Sequence, residues 1–361
     1  MLRELKLTAL RLASATGMSR LLADSSWRQG RLLILCYHGV SRYDEHEWSD
    51  LYMTQEALHR RMQLLAQERC NVLPLSEALQ RLRNGSLPPR AVVITFDDGF
   101  HDFYSAAFPI IESFGFPATL YLTTYYVEYN RPVFDPMCSY LLWKGRGTKR
   151  LEWPEVFASP VTLDDVGRTT AMAAIRKFAS TGKLSAREKD SLLVQLAERL
   201  DIDYDDLCRK RILHLITPQE ARALTAKGLD LQLHTHRHRV YRARQHMFAE
   251  LDDNRQRVEA CGSHAPQHFC YPSGFYLPEH LEHLAAYGIS SATTCFRGLC
   301  DVGTDPLQLP RLCDRSGISE LEFRSWLAGI ASLLPQRPEK MDEGQLVEVD
   351  DGNQAPPGRV I

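Results

Sequence analysis

The chain, 361 residues long, predicts an α/β fold built on a parallel sheet or barrel, and three observations carry that prediction. Ala91-Val92-Val93-Ile94 is a short apolar run between Pro88-Pro89 and Gly99, the pattern of a strand buried on both faces. Residues 31–37 (RLLILCY) and 229–233 (LDLQL) also read as strands, the second by its alternation of apolar and polar positions. Segments with helical spacing lie between such runs, and strand–helix alternation points to parallel pairing. In a barrel of this kind the loops that follow the strands converge on one face, where active residues gather.

Taken in order, residues 1–30 form a basic amphipathic segment, with Leu2, Leu5, Leu7, Leu10 and Leu12 set among Arg3, Lys6 and Arg11. Charges interrupt it every few residues, so it lacks the apolar stretch of a cleaved signal peptide. No run in the chain approaches the roughly 18 apolar residues of a membrane span. The segment is expected as a helix, either packed on the domain or lying on the inner-membrane surface, and the chain is expected in the cytoplasm. Residues 31–37 give the first strand, which ends at His38-Gly39-Val40, and the charged stretch 41–51 reads as a loop. Thr54 caps a helix to about residue 67, with Leu58, Met62 and Leu65 on one face. A short strand at 71–75 and a short helix at 76–82, ended by Asn84-Gly85, lead to the apolar run at 91–94.

A helix at 104–114 and a strand at 117–123 (PATLYLT) continue the rhythm, and residues 125–216 then break it. That stretch is helical in pattern and mixed in charge, holds Trp143 and Trp153, and is expected as an insertion that shapes a cleft or braces the fold. Tyr125, Tyr126 and Tyr129 at its start suit either sugar stacking or packing. Thr217 and Glu220 make a capping box for a helix at 218–226, and the strand at 229–233 follows Gly228. A helix at 245–261, a strand at 268–271, a helix at 279–287, a strand at 289–294, a late barrel segment at 307–312 and a closing helix at 316–334 complete the domain. The acidic tail, 335–361, is expected to be disordered.

Composition excludes some classes. A formal net charge of −2 argues against a nucleic-acid-binding protein, which would show a basic excess. Nine cysteines without a CxxC pair suggest free thiols in a reducing compartment rather than a disulfide framework.

The chemistry-bearing residues cluster at strand ends. Asp97 and Asp98 sit where the 91–94 strand should stop. Neighbouring side chains on a strand point to opposite sides, so a bend, which Gly99 permits, is needed to bring both into one site. One carboxylate could then hold a metal while the other faces substrate or water; the plainer reading is a polar Asp-Gly turn. Three imidazoles, His234, His236 and His238, follow the 229–233 strand. Two His and a carboxylate with open positions make a hydrolytic metal site, although Arg237 and Arg239 also suit a solvated basic turn.

The order TFDDG (95–99) followed by His234-Thr235-His236-Arg237-His238 resembles the polysaccharide deacetylase family, also known as NodB homology or carbohydrate esterase 4. Phe269-Cys270-Tyr271-Pro272-Ser273-Gly274 is similar to that family's next active-site loop. The resemblance spans about residues 30–330. It implies a distorted (β/α) barrel of about seven parallel strands over 31–334, with the 125–216 segment inserted. It also implies a metal-dependent hydrolase that removes an N-acetyl or similar N-acyl group from an amino sugar. One divalent ion, zinc first, would sit on Asp98, His234 and His238, with Asp97 as general base. Ser273, Gly274 and Tyr271 would face the substrate and its oxyanion, and His38 would lie near the metal.

Two departures from the family pattern stand out. Cys270 occupies the place of an Arg that orients the base, and Arg311 is the expected substitute from a neighbouring strand. The late His of the family is missing, since His283 is the last in the chain, so His38 is the expected replacement acid. An amidohydrolase-type hydrolase would carry its HxH pair on the first strand rather than after residue 230. A non-catalytic carbohydrate-binding relative would be expected to have lost Asp97 or a ligand. Without an export signal, the expected partner is an N-acetylated amino sugar, an oligosaccharide or a lipid-linked glycan.

Overall fold

The computed structural model describes residues 2–336 and 346–347. The described residues form two compact units, one of residues 2–125 with 218–336 and 346–347, and one of residues 126–217.

In the first unit the strands are β1 (Leu33–Tyr37), β2 (Gly39–Ser41), β3 (Tyr52–Thr54), β4 (Asn71–Val72), β5 (Ala91–Phe96), β6 (Thr119–Leu122), β7 (Asp230–Leu233), β8 (Val240–Tyr241), β9 (His268–Cys270), β10 (Ser291–Thr293), β11 (Leu312–Cys313) and β12 (Leu346–Val347). Seven of them form one curled, wholly parallel sheet in the order β10-β9-β7-β6-β5-β1-β11. The expected barrel of about seven parallel strands is therefore found, with β4 as an eighth. Because β1 pairs along β5 from Val92 to Phe96, β4 and β6 must share the other edge of β5. There β4 takes Ala91 and Val92, and β6 takes Thr95 and Phe96.

One segment joins the two ends of the sheet. Ala292 N–H donates to the Pro306 carbonyl and Thr294 N–H to that of Leu309, and three residues on Leu312 pairs with Leu35 of β1. The late segment thus bridges β10 and β1, and it delivers Arg311 into the interior. Ile34, Val93, Tyr121 and Cys270 pack there in one buried cluster with Leu75, Ala78, Leu79 and Leu82, the apolar stripe of the helix Leu75–Arg83. Each such fully buried aliphatic side chain contributes roughly 1.5–3 kcal/mol.

Several boundaries differ from the sequence expectation. Pro74 caps the helix that begins at Leu75, so the strand before it shrinks to two residues. The charged stretch 41–51 is not a loop throughout: Glu45–Trp48 is a helical turn, and β2 and β3 flank it as a parallel pair. The helix at 104–114 opens with a π-helical turn, Phe103–Ala107. The closing helix runs only over Glu320–Leu327, capped by Ser319 and Glu322, and Gly329 at φ 88° breaks it before a 3₁₀ turn. Residues 1–30 form three helices, Leu2–Ala15, Met18–Ala23 and Ser26–Gln29. Of the expected acidic tail, residues 337–345 and 348–361 lie outside the described residues. All nine cysteines are free, and among the described residues no helix is long and apolar enough to cross a membrane.

The second unit is helical. Asp165–Thr181 and Ala186–Arg199 both pack on Phe134–Lys144. Met137, Leu141, Ile175, Leu193 and Leu196 are buried in this unit, as is Trp153. Side chains of Asp164, Ser185 and Asp203 cap its helices by accepting backbone N–H bonds, each cap worth about 1 kcal/mol.

Candidate active site

The site begins where β5 stops. Asp97 N–H still donates to the Tyr37 carbonyl at 3.0 Å, but Asp98 turns to φ 69° and Gly99 to φ 87°. The bend anticipated from Gly99 thus starts one residue earlier, on Asp98 itself, at a cost of order 1–3 kcal/mol for a non-glycine residue. Gly99 is required on a second count, because a Cβ there would stand 2.2 Å from Leu122 Cδ1. The result is two adjacent carboxylates facing different partners.

Asp98 faces the histidines. Its Oδ1 lies 3.3 Å from His234 Nε2 and 3.3 Å from His238 Nε2, and the two rings meet edge to face. Nδ1 of His234 lies 2.8 Å from the Cys270 carbonyl oxygen. A carbonyl only accepts, so Nδ1 carries a proton, which leaves Nε2 to donate its own proton to Asp98 or, once deprotonated, to present its lone pair as a metal-ligating imidazole must. His238 follows from a second left-handed turn, with Thr235 at φ 60° and His238 itself at φ 55°. Burial pushes the Asp98 carboxyl up, but the hydrogen bonds from His234 and His238 outweigh it and hold the group well below the usual carboxylate range. Two imidazole nitrogens and one carboxylate oxygen converging in this way fit a divalent ion with open positions.

Asp97 faces the barrel interior. Its Oδ1 and Oδ2 accept from Nη1 and Nη2 of Arg311, each at 2.8 Å, and Arg311 is fully buried. The guanidinium is held in turn by the Thr294 carbonyl and Thr95 Oγ1, and its Nη2 lies 3.1 Å from Cys270 Sγ. The thiols of Cys36 and Cys270 each donate to Asp97 Oδ2 at 3.4 Å. Burial works against ionisation of Asp97, and the Arg311 charge with its hydrogen bonds prevails, so its carboxyl sits far below the ordinary range. His38 Nε2 is 3.8 Å from Asp97 Oδ2. The strand register explains this pairing: Tyr37 and Phe96 are partners across β1 and β5, so the next residues, His38 and Asp97, leave adjacent strands side by side.

The third loop is more committed than its sequence suggested. Tyr271 is fully buried, its N–H donates to the Thr293 carbonyl and its hydroxyl to that of Leu307 at 3.1 Å. Gly274 N–H closes a turn onto the Tyr271 carbonyl at 2.9 Å. Those two expected oxyanion donors are thus engaged within the fold, while Ser273, at φ 53°, is the half-buried residue of the loop. His236 turns away from Asp98 and bonds Thr124 Oγ1 through Nδ1 at 2.9 Å. Burial and the nearby Arg257 and Arg237 press its pKa down to about 3, so it is neutral at ordinary pH.

Sequence reasoning missed Asn254. It is fully buried on the helix Arg244–Ala260, its Oδ1 accepts from His234 N–H at 2.9 Å, and its Nδ2 donates to the Leu122 carbonyl and Thr124 Oγ1. One side chain thereby ties the His234 backbone to the end of β6. A single Asn within a helical pattern carries no signal for that role.

A curled parallel sheet with its ionisable side chains gathered at the C-terminal ends of the strands is the architecture of a (β/α)-barrel enzyme. The chain belongs to the polysaccharide deacetylase family, whose model, described as polysaccharide deacetylase, matches residues 84–292, more than half of the chain. Among curated relatives, a poly-beta-1,6-N-acetyl-D-glucosamine N-deacetylase of Escherichia coli is 31% identical over 102 residues, covering 27% of this chain and 15% of that protein. The enzyme of the same name from Staphylococcus epidermidis is 27% identical over 139 residues, 34% of this chain and 48% of that one. The chain thus spans less than half the length of these relatives. Among solved structures, the Streptococcus pyogenes deacetylase PplD in complex with acetate aligns over 84% of this chain and 99% of its own, with a TM-score of 0.55 and 18% identity. IcaB from Ammonifex degensii aligns over 84% and 98%, with a TM-score of 0.52 and 15% identity. At such identities these structures speak for the fold.

Proposed function

We propose that the protein is a metal-dependent hydrolase that removes an N-acetyl or similar N-acyl group from an amino sugar of a surface polysaccharide or its precursor. The observation that carries this reading is the split of the two carboxylates, Asp98 toward His234 and His238 and Asp97 toward Arg311. Asp98, His234 and His238 would hold one divalent ion, zinc first among candidates. Bound there, the ion would polarise the amide carbonyl and lower the pKa of a water molecule. Asp97 is the general base: Arg311 fixes its orientation by the two-bond fork and keeps it ionised at neutral pH, so its lone pairs face the water it is to deprotonate. His38, beside Asp97 Oδ2, is the acid that delivers a proton to the leaving amine. Ser273 orients the acyl group from the loop after β9.

The names of the curated relatives support a poly-N-acetylglucosamine-like glycan, and a lipid-linked or oligomeric precursor fits the same residues. The protein acts, in this reading, in the cytoplasm at the membrane. The exposed Leu5, Leu12, Met18 and Leu21 of the N-terminal helices support a peripheral contact; co-sedimentation with anionic vesicles that Leu5→Glu and Leu12→Glu leave unchanged would remove that support.

The test is metal content together with acetate release from N-acetylhexosamine oligomers, in wild type and Asp97→Asn. Near one ion per chain in both, with acetate release lost in the variant, is the expected result. A protein that binds no divalent ion overturns the reading.

A further inference from the structure

The interior beside Asp97 is lined with sulfur. Cys36 and Cys270 are fully buried and both direct their thiols to Asp97 Oδ2, a feature the deacetylation chemistry does not use. Cys36 and His38 are two residues apart at the end of β1, so both side chains face the interior, and the register sets Asp97 next to them. Cys36 Sγ is 3.4 Å and His38 Nε2 is 3.8 Å from Asp97 Oδ2, Cys36 Sγ is 4.0 Å from His38 Nδ1, and one donor atom from each of the three residues lies within 4.8 Å of the others. A tetrahedral zinc-like ion, with bonds of about 2.3 Å to sulfur and about 2.0 Å to nitrogen and oxygen, needs its ligand atoms roughly 3.3–3.6 Å apart. Turning the half-buried His38 ring so that one of its nitrogens takes that spacing from both Cys36 Sγ and Asp97 Oδ2 completes the triangle.

We propose that Cys36, His38 and Asp97 form a second metal site, selective for thiophilic divalent ions such as zinc or cadmium, and that its occupation silences the enzyme. Binding forms S–M, N–M and O–M bonds and releases the Cys36 thiol proton to solvent, one proton per ion, with no redox change. Thiolate is a soft ligand, so magnesium and manganese, which favour oxygen, do not fill the site. The Arg311 guanidinium on the far side of Asp97 opposes a cation there, and the new thiolate offsets it. The site is accordingly weaker than the Asp98–His234–His238 set and fills after it. A neighbouring combination, Asp97 with His234 and Cys270, is the poorer one, because His234 already serves Asp98 and Arg311 lies against the Cys270 sulfur. The silencing rests on the deacetylase reading, since the ion takes the lone pairs that the base and acid would use; the binding itself does not.

Cadmium titration of the metal-free protein tests the proposal through the ultraviolet thiolate-to-cadmium charge-transfer band and the number of ions bound. In wild type the first ion binds without the band and the second brings it up. In Asp98→Ala the band rises with the first ion. In Cys36→Ser the band and the second ion are lost while the first ion remains; should that variant not fold, His38→Gln is expected to weaken the second ion alone. A band that survives Cys36→Ser, or a second ion that binds without one, overturns the site. Failure of acetate release in every variant, with the band behaving as described, would refute only the deacetylase reading. Inhibition by excess zinc that Cys36→Ser does not relieve would refute the silencing.

Discussion

Arg311 and Asp97 stand 214 positions apart in the chain and meet in a two-bond fork, both contacts at 2.8 Å, inside the barrel. The guanidinium arrives because the segment between β10 and β11 crosses the gap in the curled sheet. Its planar fork matches a carboxylate in a way that a lysine ammonium does not. Arg311→Lys is therefore expected to keep the protein folded and its metal bound while lowering kcat/KM on the order of a hundredfold, the scale of a misplaced catalytic group. Arg311→Ala leaves Asp97 buried and unpaired, with an expected loss of about 3–5 kcal/mol. Denaturant unfolding beside acetate-release kinetics separates the two. Equal kinetics for Arg311→Lys and wild type would deny Arg311 an orienting role.

The same pair sets an acid limit. The folded-state pKa of Asp97 is depressed, so its contribution to stability is fully present above the unfolded value, about 4, and fades as pH falls below that toward the folded value. Asp97→Asn has no such group to protonate. Its melting temperature is expected to lie below that of wild type at neutral pH and to approach it as pH drops below about 4. A gap that stays constant with pH would place the stabilising charge elsewhere.

Much of this was legible in the chain. The strands with apolar runs or alternation, 31–37, 91–94, 117–123 and 229–233, are all in the sheet, because burial on both faces writes itself into composition. The divergence of Asp97 and Asp98 followed from strand geometry alone. β2, β3 and the turn Glu45–Trp48 were not readable: three-residue strands in a charged stretch have too few positions to show a period. The engagement of Tyr271 and Gly274 depends on Thr293 and Leu307, brought in by strands distant in sequence. Asn254 was invisible for the same reason, since its partners belong to two other elements.

Asn254 gives a third prediction. Asn254→Ala strips partners from the His234 N–H, the Leu122 carbonyl and the Thr124 hydroxyl at once. An unsatisfied buried group costs about 1–3 kcal/mol, so a loss near the upper end is expected. Metal affinity should fall roughly tenfold, as when an outer-shell partner is removed. Asn254→Asp keeps the acceptor for His234 N–H but loses both donated bonds. It is expected to retain metal better than Asn254→Ala, and the reverse order in a metal titration would mean that His234 does not depend on this contact.

Asp102 carries the last prediction, one of opposite sign. It is buried beneath β2, where its Oδ1 accepts from Val40 N–H at 3.0 Å. Burial, and then the nearby Glu45 charge, push its pKa up to about 8 against the bond from Val40. A carboxyl whose folded pKa is raised supports the fold below its unfolded value and loses that support as pH climbs to the folded one. Here the window runs from about 4 to about 8. Asp102→Asn preserves the acceptor for Val40 N–H and cannot ionise. It is expected to match wild type in melting temperature near pH 4, to pull ahead as pH rises, and to hold a constant lead above pH 8, where wild type has the charge buried or the segment loosened. A wild type that is more stable than Asp102→Asn at alkaline pH would show that the ionised carboxylate has a favourable partner there, and the neutral state assigned to Asp102 would be wrong.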